Sequence, residues 1–240
     1  MTNPMESINK TLKPYLGLRK INRKECNNVI LQNEVGITYR FTDGNMYAEF
    51  NYDNVGYVQL TNNEHYELDL QNPNYFYTES RLKSIEGYFE RKFDVSMTFR
   101  TSIFHKSLEE ICKNIQKIDC VKLLFNFKQN RIEIREDLDF KFHTYYLVPL
   151  WDGYSFDPKN KDSYVLYVNP KYLLLSLSHG YDFSTILVNE NGPIIVYGSN
   201  TNDKDKSYRS IVMNLYRKTE SDNDDKAKKL IKLMENIRNS

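Results

Sequence analysis

Residues that could carry catalytic chemistry are few and widely spaced in this chain of 240 residues. Neither a Gly-x-Ser-x-Gly nucleophile turn nor a glycine-rich phosphate-binding loop occurs. His105, Cys112 and Cys120 form a trio that could bind a metal, but a zinc site needs a fourth ligand and more closely spaced pairs. Because cysteines without a partner are usually buried, we interpret the trio as core or surface residues. We expect no catalytic residue, no metal and no cofactor.

The acidic cluster Glu136, Asp137 and Asp139 is a second group that could bind a divalent ion. Such residues are mostly exposed to solvent, and the cluster lies between two strand-like runs, so we interpret it as a solvated turn. An enzyme with a metal or carboxylate site stays open as the alternative from another functional class. Stoichiometric zinc in the purified protein would support that alternative.

The hydrophobic pattern of residues 95–216 predicts one strand, one helix and three strands, twice in succession. The first unit has a strand at 95–102 and a helix at 105–118. The second unit has a strand at 163–168 and a helix at 170–179, which Asn169 caps and Gly180 ends. The three strands that follow each helix are predicted at 120–127, 130–136 and 140–149, and at 183–189, 193–198 and 208–216.

The first 94 residues predict a weaker copy of this order. A helix within 5–20 precedes strands at 28–32, 36–42 and 46–52, and two short strands at 57–60 and 65–70 precede a helix that begins at Asn72-Pro73 and ends near Gly87. We therefore expect an α+β fold with three segments. These are an N-terminal domain at 1–94 with an abbreviated second half, a C-terminal domain at 95–218, and a polar tail at 219–240 with an amphipathic helical pattern.

The composition narrows the functional class. Lys and Arg number 33 against 32 Asp and Glu, a formal net charge of +1, which argues against a simple basic coat for nucleic acid. No apolar run reaches the roughly 20 residues that cross a bilayer, and the N-terminus lacks a signal pattern. Three scattered cysteines exclude a disulfide framework. These features favour a folded cytoplasmic protein with no membrane partner.

The segment 163–217 resembles the last half-domain of the replicative DNA sliding clamps. The resemblance rests on YVNPKYLLLSLSHG, FSTILVNENGPIIVYG and SYRSIVMNLYR, which follow the order of helix, strand, turn and closing strand in bacterial clamps. Asn214 stands where those clamps usually have proline. The stretch MYAEFNYDN at 46–54 is similar to the first domain of two-domain bacteriophage clamps. Clamp domains are also built from repeated strand-helix-three-strand units, as predicted here.

The resemblance implies a non-enzymatic processivity factor that encircles double-stranded DNA and tethers a replicative polymerase. Its helices would line the hole and its antiparallel sheets would form the outer wall. Because such a ring slides, its contacts should be few and should go to phosphates rather than bases. The implied DNA-facing residues are basic residues of the four predicted helices: Lys10, Lys13, Arg19, Lys20, Arg81, Lys83, Lys106, Lys113, Lys117 and Lys171.

Helix spacing supports this interpretation for one helix, because Lys106, Lys113 and Lys117 fall on one face of 105–118. The alternative is that they are ordinary solubilising lysines, which the neighbouring Glu109 and Glu110 favour.

The resemblance also implies an apolar pocket for partner peptides, formed near the closing strand by Tyr172, Met213 and Leu215. Each of these residue types is equally typical of a sheet core. With two domains per chain, a ring of six domains implies a homotrimer. The implied partners are double-stranded DNA, a DNA polymerase and, where one is needed, a clamp loader. The implied location is the cytoplasm, which is that of the host if the chain is encoded by a bacteriophage. The alternative is a clamp-like protein that has lost the ring and regulates DNA replication.

Overall fold

A computed structural model describes residues 11–15, 27–32, 36–53, 79–114, 120–126, 129, 131–138, 141–147, 163–189, 192–201 and 206–215. Residues 11–15 form a short helical turn, and three strands and a helix precede residue 95. These elements are β1 (Asn27–Gln32), β2 (Gly36–Thr42), β3 (Met46–Asp53) and α1 (Glu79–Phe89). The rest of the helix predicted within 5–20, the strands predicted at 57–60 and 65–70, and the tail at 219–240 lie outside the described residues.

Residues 95–212 confirm the predicted repeat of one strand, one helix and three strands. The first unit contains β4 (Val95–Arg100), α2 (Thr101–Asn114), β5 (Val121–Asn126), β6 (Arg131–Leu138) and β7 (Lys141–Leu147). The second contains β8 (Ser163–Val168), α3 (Pro170–Ser176), β9 (Phe183–Val188), β10 (Ile194–Ser199) and β11 (Lys206–Val212). The fold is thus α+β, as expected.

The two units exchange their first strands. The seven-stranded sheet has the order β1-β2-β3-β11-β10-β9-β4, and the four-stranded sheet has the order β7-β6-β5-β8. β4 of the first unit therefore pairs with β9 of the second, with Val95 opposite Val188. In return, β8 pairs with β5, with Val121 opposite Val168. All of these pairings are antiparallel, and they bind the two units into one body.

Strand alternation gives the seven-stranded sheet two different faces. Met46, Ala48 and Phe50 of β3 belong to the main core, together with residues of α2 and α3 and the turn at 11–15. Tyr47, between them in sequence, belongs to a second cluster that α1 covers. We call the first surface the helix face and the second the outer face. α1 is thus separated from α2 and α3 by the sheet.

Local contacts explain why the helix ends differ from the predicted ones. α2 begins at Thr101 rather than 105, since the Thr101 N–H donates to the Asp182 carbonyl and its hydroxyl lies 2.8 Å from that of Ser184. α3 begins at Pro170 behind the Asn169 cap, as predicted, but ends at Ser176 rather than 179. Gly180, with φ of 77°, completes the turn into β9.

A buried histidine joins the end of α3 to the sheet. The Tyr181 N–H donates to His179 Nδ1 at 3.0 Å, so the ring proton sits on Nε2 and donates to Ser184 Oγ at 3.0 Å. The ring centroid also lies 4.5 Å from that of Tyr208. Burial, followed by the charge of His105, lowers the pKa of His179 from 6.5 to about 3. The core therefore holds this imidazole in its neutral form.

Gly198 of β10 permits this close packing, and its replacement by alanine is expected to destabilise the fold by about 2 kcal/mol. A Cβ there would lie 3.0 Å from Tyr181 Cδ2 and 3.1 Å from His179 Cε1, and neither ring can move easily. The matched control is Gly87→Ala in α1, where a Cβ meets nothing within 4 Å and should stabilise the helix by about 0.5 kcal/mol. Urea denaturation measures the free energy of unfolding of both variants. Equal changes in the two would show that the space around Gly198 is not tightly filled.

Candidate functional site

The helix face carries exposed lysines from three separate elements. Lys13 lies on the turn at 11–15, Lys106 and Lys113 lie on α2, and Lys171 lies on α3. α2 and α3 pack side by side, and His105 Nε2 lies 3.2 Å from the Ser178 hydroxyl that follows α3. The lysines of the two helices thus belong to one continuous surface.

Acidic residues moderate the charge of this surface. Lys113 Nζ lies 2.8 Å from Glu109 Oε1, and Glu110 is exposed nearby on the same helix. Burial raises the pKa of the Cys112 thiol on α2, and the charge of Lys171 on α3 opposes part of that rise. A few cations interspersed with carboxylates suit weak contacts to phosphates rather than tight binding.

The packing of α1 corrects the expectation that its basic residues share this surface. Leu82, Ile85 and Phe89 pack against the outer face, so Arg81 and Lys83 are separated by the sheet from the lysines of α2 and α3. Lys83 also forms an ion pair with Glu79 at 2.8 Å. The predicted DNA-facing residues Lys10, Arg19, Lys20 and Lys117 lie outside the described residues.

A pocket of about 310 Å³ opens on the outer face, between α1 and the sheet. Most of its lining is apolar and comes from three parts of the chain. The lining residues are Thr42, Gly44, Met46 and Tyr47 around the β2–β3 turn, Ile211 and Met213 at the end of β11, and Arg81, Ser84, Ile85 and Tyr88 of α1. Met213, one of the residues predicted to form a pocket for partner peptides, lines this cavity together with Ile211.

Tyr172 and Leu215, the other two predicted pocket residues, do not line this pocket. Tyr172 is buried on the helix face, and its hydroxyl donates to Asp43 Oδ2 at 2.5 Å. Asp43 in turn accepts the N–H groups of Asn45 and Met46, which fixes the β2–β3 turn. The Asn45 carbonyl accepts the Met213 N–H at 3.0 Å. Tyr172 therefore supports the pocket wall from behind.

Leu215 leads the chain away from the pocket towards the other sheet. Its N–H donates to the Tyr167 carbonyl on β8 at 2.6 Å, and the Asn214 side chain accepts the Tyr167 N–H at 3.0 Å. Residues 214 and 215 therefore connect the two sheets. Asn214, which stands at the position where the clamps usually have proline, uses its side chain to make this connection.

A row of three charges crosses the outer face beside the pocket. Glu49 of β3 lies directly opposite Arg40 of β2 and Arg209 of β11. It accepts a hydrogen bond from Nε of each arginine at 2.8 Å and from the Tyr47 hydroxyl at 2.6 Å. Burial alone would raise the pKa of Glu49, but these hydrogen bonds outweigh it and lower the pKa to about 2. The carboxylate is therefore ionised at neutral pH.

Arg209 also ties α1 to the sheet. Its two Nη atoms donate to the two carboxylate oxygens of Glu86, at 2.5 and 2.8 Å, and its Cζ lies 4.3 Å from the centre of the Phe89 ring. Glu49, Glu86 and Arg209 belong to no motif that the sequence reveals. For Glu49 and Arg209 the signal exists only in the strand register, which places them directly opposite each other, and for Glu86 it exists only in the docking of α1 on the sheet.

Within the described ranges, no three His, Cys, Asp or Glu side chains are grouped in a way that could hold a metal ion. No helix in the same ranges is long and apolar enough to span a membrane. Cys112 and Cys120, predicted as core or surface residues, are both half-buried thiols. Asp139 and the side chains of Glu136 and Asp137 lie outside the described residues.

Comparison with known proteins gives a fold but no sequence relative. No protein-family model and no curated protein sequence matches the chain. Among solved structures, the beta chain of DNA polymerase III from Streptococcus pneumoniae matches with a TM-score of 0.60 at 11% identity, covering 88% of this chain and 63% of that one. The H. pylori beta clamp matches with a TM-score of 0.57 at 13% identity, covering 87% and 62%. The chain has the sliding-clamp fold.

A third clamp structure, the beta subunit from DNA polymerase of Streptococcus pyogenes, matches with a TM-score of 0.56 at 12% identity, covering 88% of this chain and 64% of that one. The chain thus spans a little under two thirds of the length of these clamp structures. The exposed lysines of α2 and α3 lie on one side of the seven-stranded sheet, and the pocket lies on the other side.

Proposed function

We propose that this protein is a sliding clamp, a non-enzymatic processivity factor that encircles duplex DNA and tethers a replicative polymerase. The observation that carries the proposal is the separation of two surfaces by one sheet. The lysines of α2 and α3 lie on the helix face, and the apolar pocket lies on the outer face. DNA and a partner protein would then bind at the same time without competing for the same residues.

The DNA contact in this proposal is mobile and independent of sequence. Lys13, Lys106, Lys113 and Lys171 reach phosphates through flexible side chains, and none of the four is buried. Contacts of this kind carry no information about base identity, because sequence is read at the base edges. The nearby carboxylates of Glu109 and Glu110 limit the net attraction, which suits sliding along the duplex.

Ring formation is the part of the proposal that requires other copies of the chain. β7 ends the four-stranded sheet and has no neighbour on its outer side among the described strands. Such an edge pairs readily with a strand of another molecule. We propose a head-to-tail homotrimer of two-domain chains, closed through sheet edges, as in the bacteriophage clamps that the sequence resembles.

Light scattering during size-exclusion chromatography tests the ring directly. The expected result is a species with three times the mass of one chain at micromolar concentration. A stable monomer at that concentration would contradict the ring and favour the second candidate, a clamp-like binding protein that regulates DNA replication.

Replacing Lys106, Lys113 and Lys171 together by alanine should weaken duplex binding without unfolding the chain. Each lost phosphate contact lowers the slope of log affinity against log salt by about 0.9, so three lost contacts lower it by about 3. The matched control replaces Lys83, Arg91 and Lys122 by alanine. It removes the same number of positive charges from parts of the surface that lie outside the helix face. Fluorescence anisotropy of a labelled duplex at several salt concentrations measures both variants. The proposed DNA surface is wrong if the slope of log affinity against log salt falls as much in the control variant as in the triple lysine variant.

A further inference from the structure

The outward side of the four-stranded sheet carries apolar side chains beside basic ones. Strand alternation points Val165 and Tyr167 of β8 and Leu124 of β5 away from the core. Val165 lies directly opposite Leu124 in the strand register, and Tyr167 follows two residues later on the same side. Val165 is 38% exposed, and Leu124 and Tyr167 are half-buried. We call these three side chains the β8 patch.

Basic residues lie beside the β8 patch on the same side of the sheet. Lys122 of β5 lies between Tyr167 and Arg135 in the register. Arg131 and Arg135 of β6 both donate to the buried Glu133 carboxylate, at 2.9 and 2.6 Å. Three cations and one carboxylate give this side a formal charge of +2. Because Glu133 engages both arginines, Lys122 is the cation best placed to pair with a carboxylate that arrives from elsewhere in the chain.

Residues 214 and 215, the last that the structure describes, lie beside the β8 patch. The Leu215 N–H donates to the Tyr167 carbonyl at 2.6 Å, and the Asn214 side chain accepts the Tyr167 N–H at 3.0 Å. β8 is the end strand of its sheet among the described strands. Residues 216–240 follow in the sequence, so this segment starts at the edge of β8 next to the apolar patch.

The sequence of the tail at 219–240 complements this surface in two ways. Its first part carries four carboxylates, on Glu220, Asp222, Asp224 and Asp225. Its helical pattern has apolar residues at spacings of three, one and three, which is one helix face, at Leu230, Leu233, Met234 and Ile237. Lys228 and Lys232 fall on the opposite face of such a helix. The acidic part matches the basic residues of the sheet, and the apolar face matches the β8 patch.

The connection between the sheet and the tail is short enough to hold the two together. Ten residues, 216–225, separate Leu215 from the helical pattern at 226–238. Fully extended they span at most about 35 Å, whereas neighbouring strands lie about 5 Å apart. A tether of this length gives an effective concentration in the millimolar range. An isolated helix as short as 226–238 is marginal in water, so a surface that buries its apolar face stabilises it.

We propose that the tail of the same chain docks on the outward side of the four-stranded sheet, with its apolar stripe over Leu124 and Val165 and its acidic part beside Lys122. The docked helix directs Lys228 and Lys232 to solvent and removes the β8 patch from it. This inference goes beyond the proposed function and does not depend on it, since it uses neither the lysines of the helix face nor the residues that line the pocket.

Hydrogen exchange followed by mass spectrometry tests the docking in the full chain, with a synthetic peptide of residues 219–240 as the undocked reference. Exchange of the amides of 227–237 should be about fivefold slower in the full chain, because an effective concentration of several millimolar exceeds a dissociation constant of about 1 mM. Val165→Lys should abolish this slowing. The matched control is Ile103→Lys, which changes another exposed apolar residue, 57% exposed on α2, and should leave the slowing intact.

The acidic part of the tail is tested by charge reversal. Lys122→Glu should quicken exchange of the tail, whereas Lys83→Glu, the same charge change on α1, should not. Slow exchange should return when Lys122→Glu is combined with lysine at the four acidic positions, namely Glu220, Asp222, Asp224 and Asp225. Exchange of the α2 amides should stay the same in every variant, which shows that the chain remains folded.

Methyl NMR identifies which molecule supplies the tail. In chains labelled at both methionine and valine methyl groups, Met234 should show a nuclear Overhauser effect to Val165. A mixture of chains labelled only at methionine with chains labelled only at valine should show none. An effect in the mixture would overturn the inference, because the tail would then dock on a second copy.

Three other results would also overturn it: exchange of the tail as fast as in the synthetic peptide, equal effects of Val165→Lys and Ile103→Lys, or no effect of Lys122→Glu. These outcomes are distinguishable from failure of the clamp function. A monomer with a docked tail would contradict only the ring, and a trimer with an undocked tail would contradict only the docking.

Discussion

Arg209→Met should lower the free energy of unfolding by about 3 kcal/mol, because it removes one of the two arginines that pair with the nearly buried Glu49 carboxylate and leaves Arg40 as the other. The methionine keeps the apolar stem over Phe89 but loses every hydrogen bond to Glu49 and Glu86. Urea denaturation at neutral pH measures the loss. Hydrogen exchange should also show faster opening of α1, since Arg209 is the cation that joins α1 to the sheet.

Arg135→Met is the matched control for this prediction. Arg135 pairs with Glu133 at 2.6 Å on the outward side of the four-stranded sheet, but its side chain is 41% exposed and no helix depends on it. Its loss should reduce stability by about 1 kcal/mol or less. If the two variants lose equal stability and α1 exchange is unchanged, then Arg209 does not have the anchoring role described for it.

The effect of Arg209→Met should also depend on pH. The pKa of Glu49 is about 2 in the folded chain and 4.5 ordinarily, so its network stabilises the fold above pH 4.5 and this contribution is lost as the pH falls towards 2. The stability difference between the wild type and Arg209→Met should therefore narrow through that window. A difference that stays constant from pH 5 to 3 would show that the charge of Glu49 is not involved.

Because of His179, the free energy of unfolding should fall in mild acid. This fall begins near pH 6.5, above the pH range in which protonation of Glu49 contributes. The folded pKa of about 3 lies below the ordinary 6.5, so below pH 6.5 the unfolded chain binds a proton that the folded chain excludes. Unfolding then takes up one proton, and stability falls by about 1.4 kcal/mol for each pH unit down towards pH 3. Summed over the window from pH 6.5 to pH 3, the loss of stability amounts to about 5 kcal/mol.

The variant His179→Gln tests this prediction by its slope rather than by its absolute stability. Glutamine can accept and donate hydrogen bonds but does not titrate, so the plot of unfolding free energy against pH should be flatter than that of the wild type by about 1.4 kcal/mol per unit between pH 6 and 4.5. Denaturant titrations at four pH values provide the comparison. Parallel plots would mean that His179 is not kept neutral by the fold.

The sequence predicted the local elements of the C-terminal units well, because their signals are local. Asn169-Pro170 marks the start of α3, and alternating apolar residues mark strands such as β8 and β9. The exchange of β4 and β8 between the two sheets had no such signal, since it depends on pairings between residues as distant as Val95 and Val188. The position of α1 was missed for a related reason. Its apolar stripe predicts a covered face but does not reveal which side of a sheet will cover it.

For the candidate site, the resemblance predicted Met213 as a pocket residue, and Met213 lines the cavity on the outer face. The other residues of that cavity follow only from the strand register and the packing of α1. Tyr172 was predicted in the pocket from the resemblance, because it lies in the helix next to the closing strand, yet its hydroxyl bonds to Asp43 on the other side of the sheet. Arg81 was predicted to face DNA because it is a basic residue of a predicted helix and the resemblance implies that the helices line the hole. The packing of Leu82 and Phe89 places it on the outer face instead. Charge identifies a ligand-binding residue only when the face that it occupies is known.

The exchanged strands have a consequence for how the chain is made. During synthesis β4 emerges long before its partner β9. Likewise β3 emerges long before its partner β11, in which Val212 lies opposite Met46. The central sheet therefore cannot close until translation has passed residue 212, and until then the nascent chain carries unpaired β-strands of high aggregation tendency. Truncations before that point should give insoluble products rather than small folded domains. Folding dominated by such distant pairings is also expected to be slow.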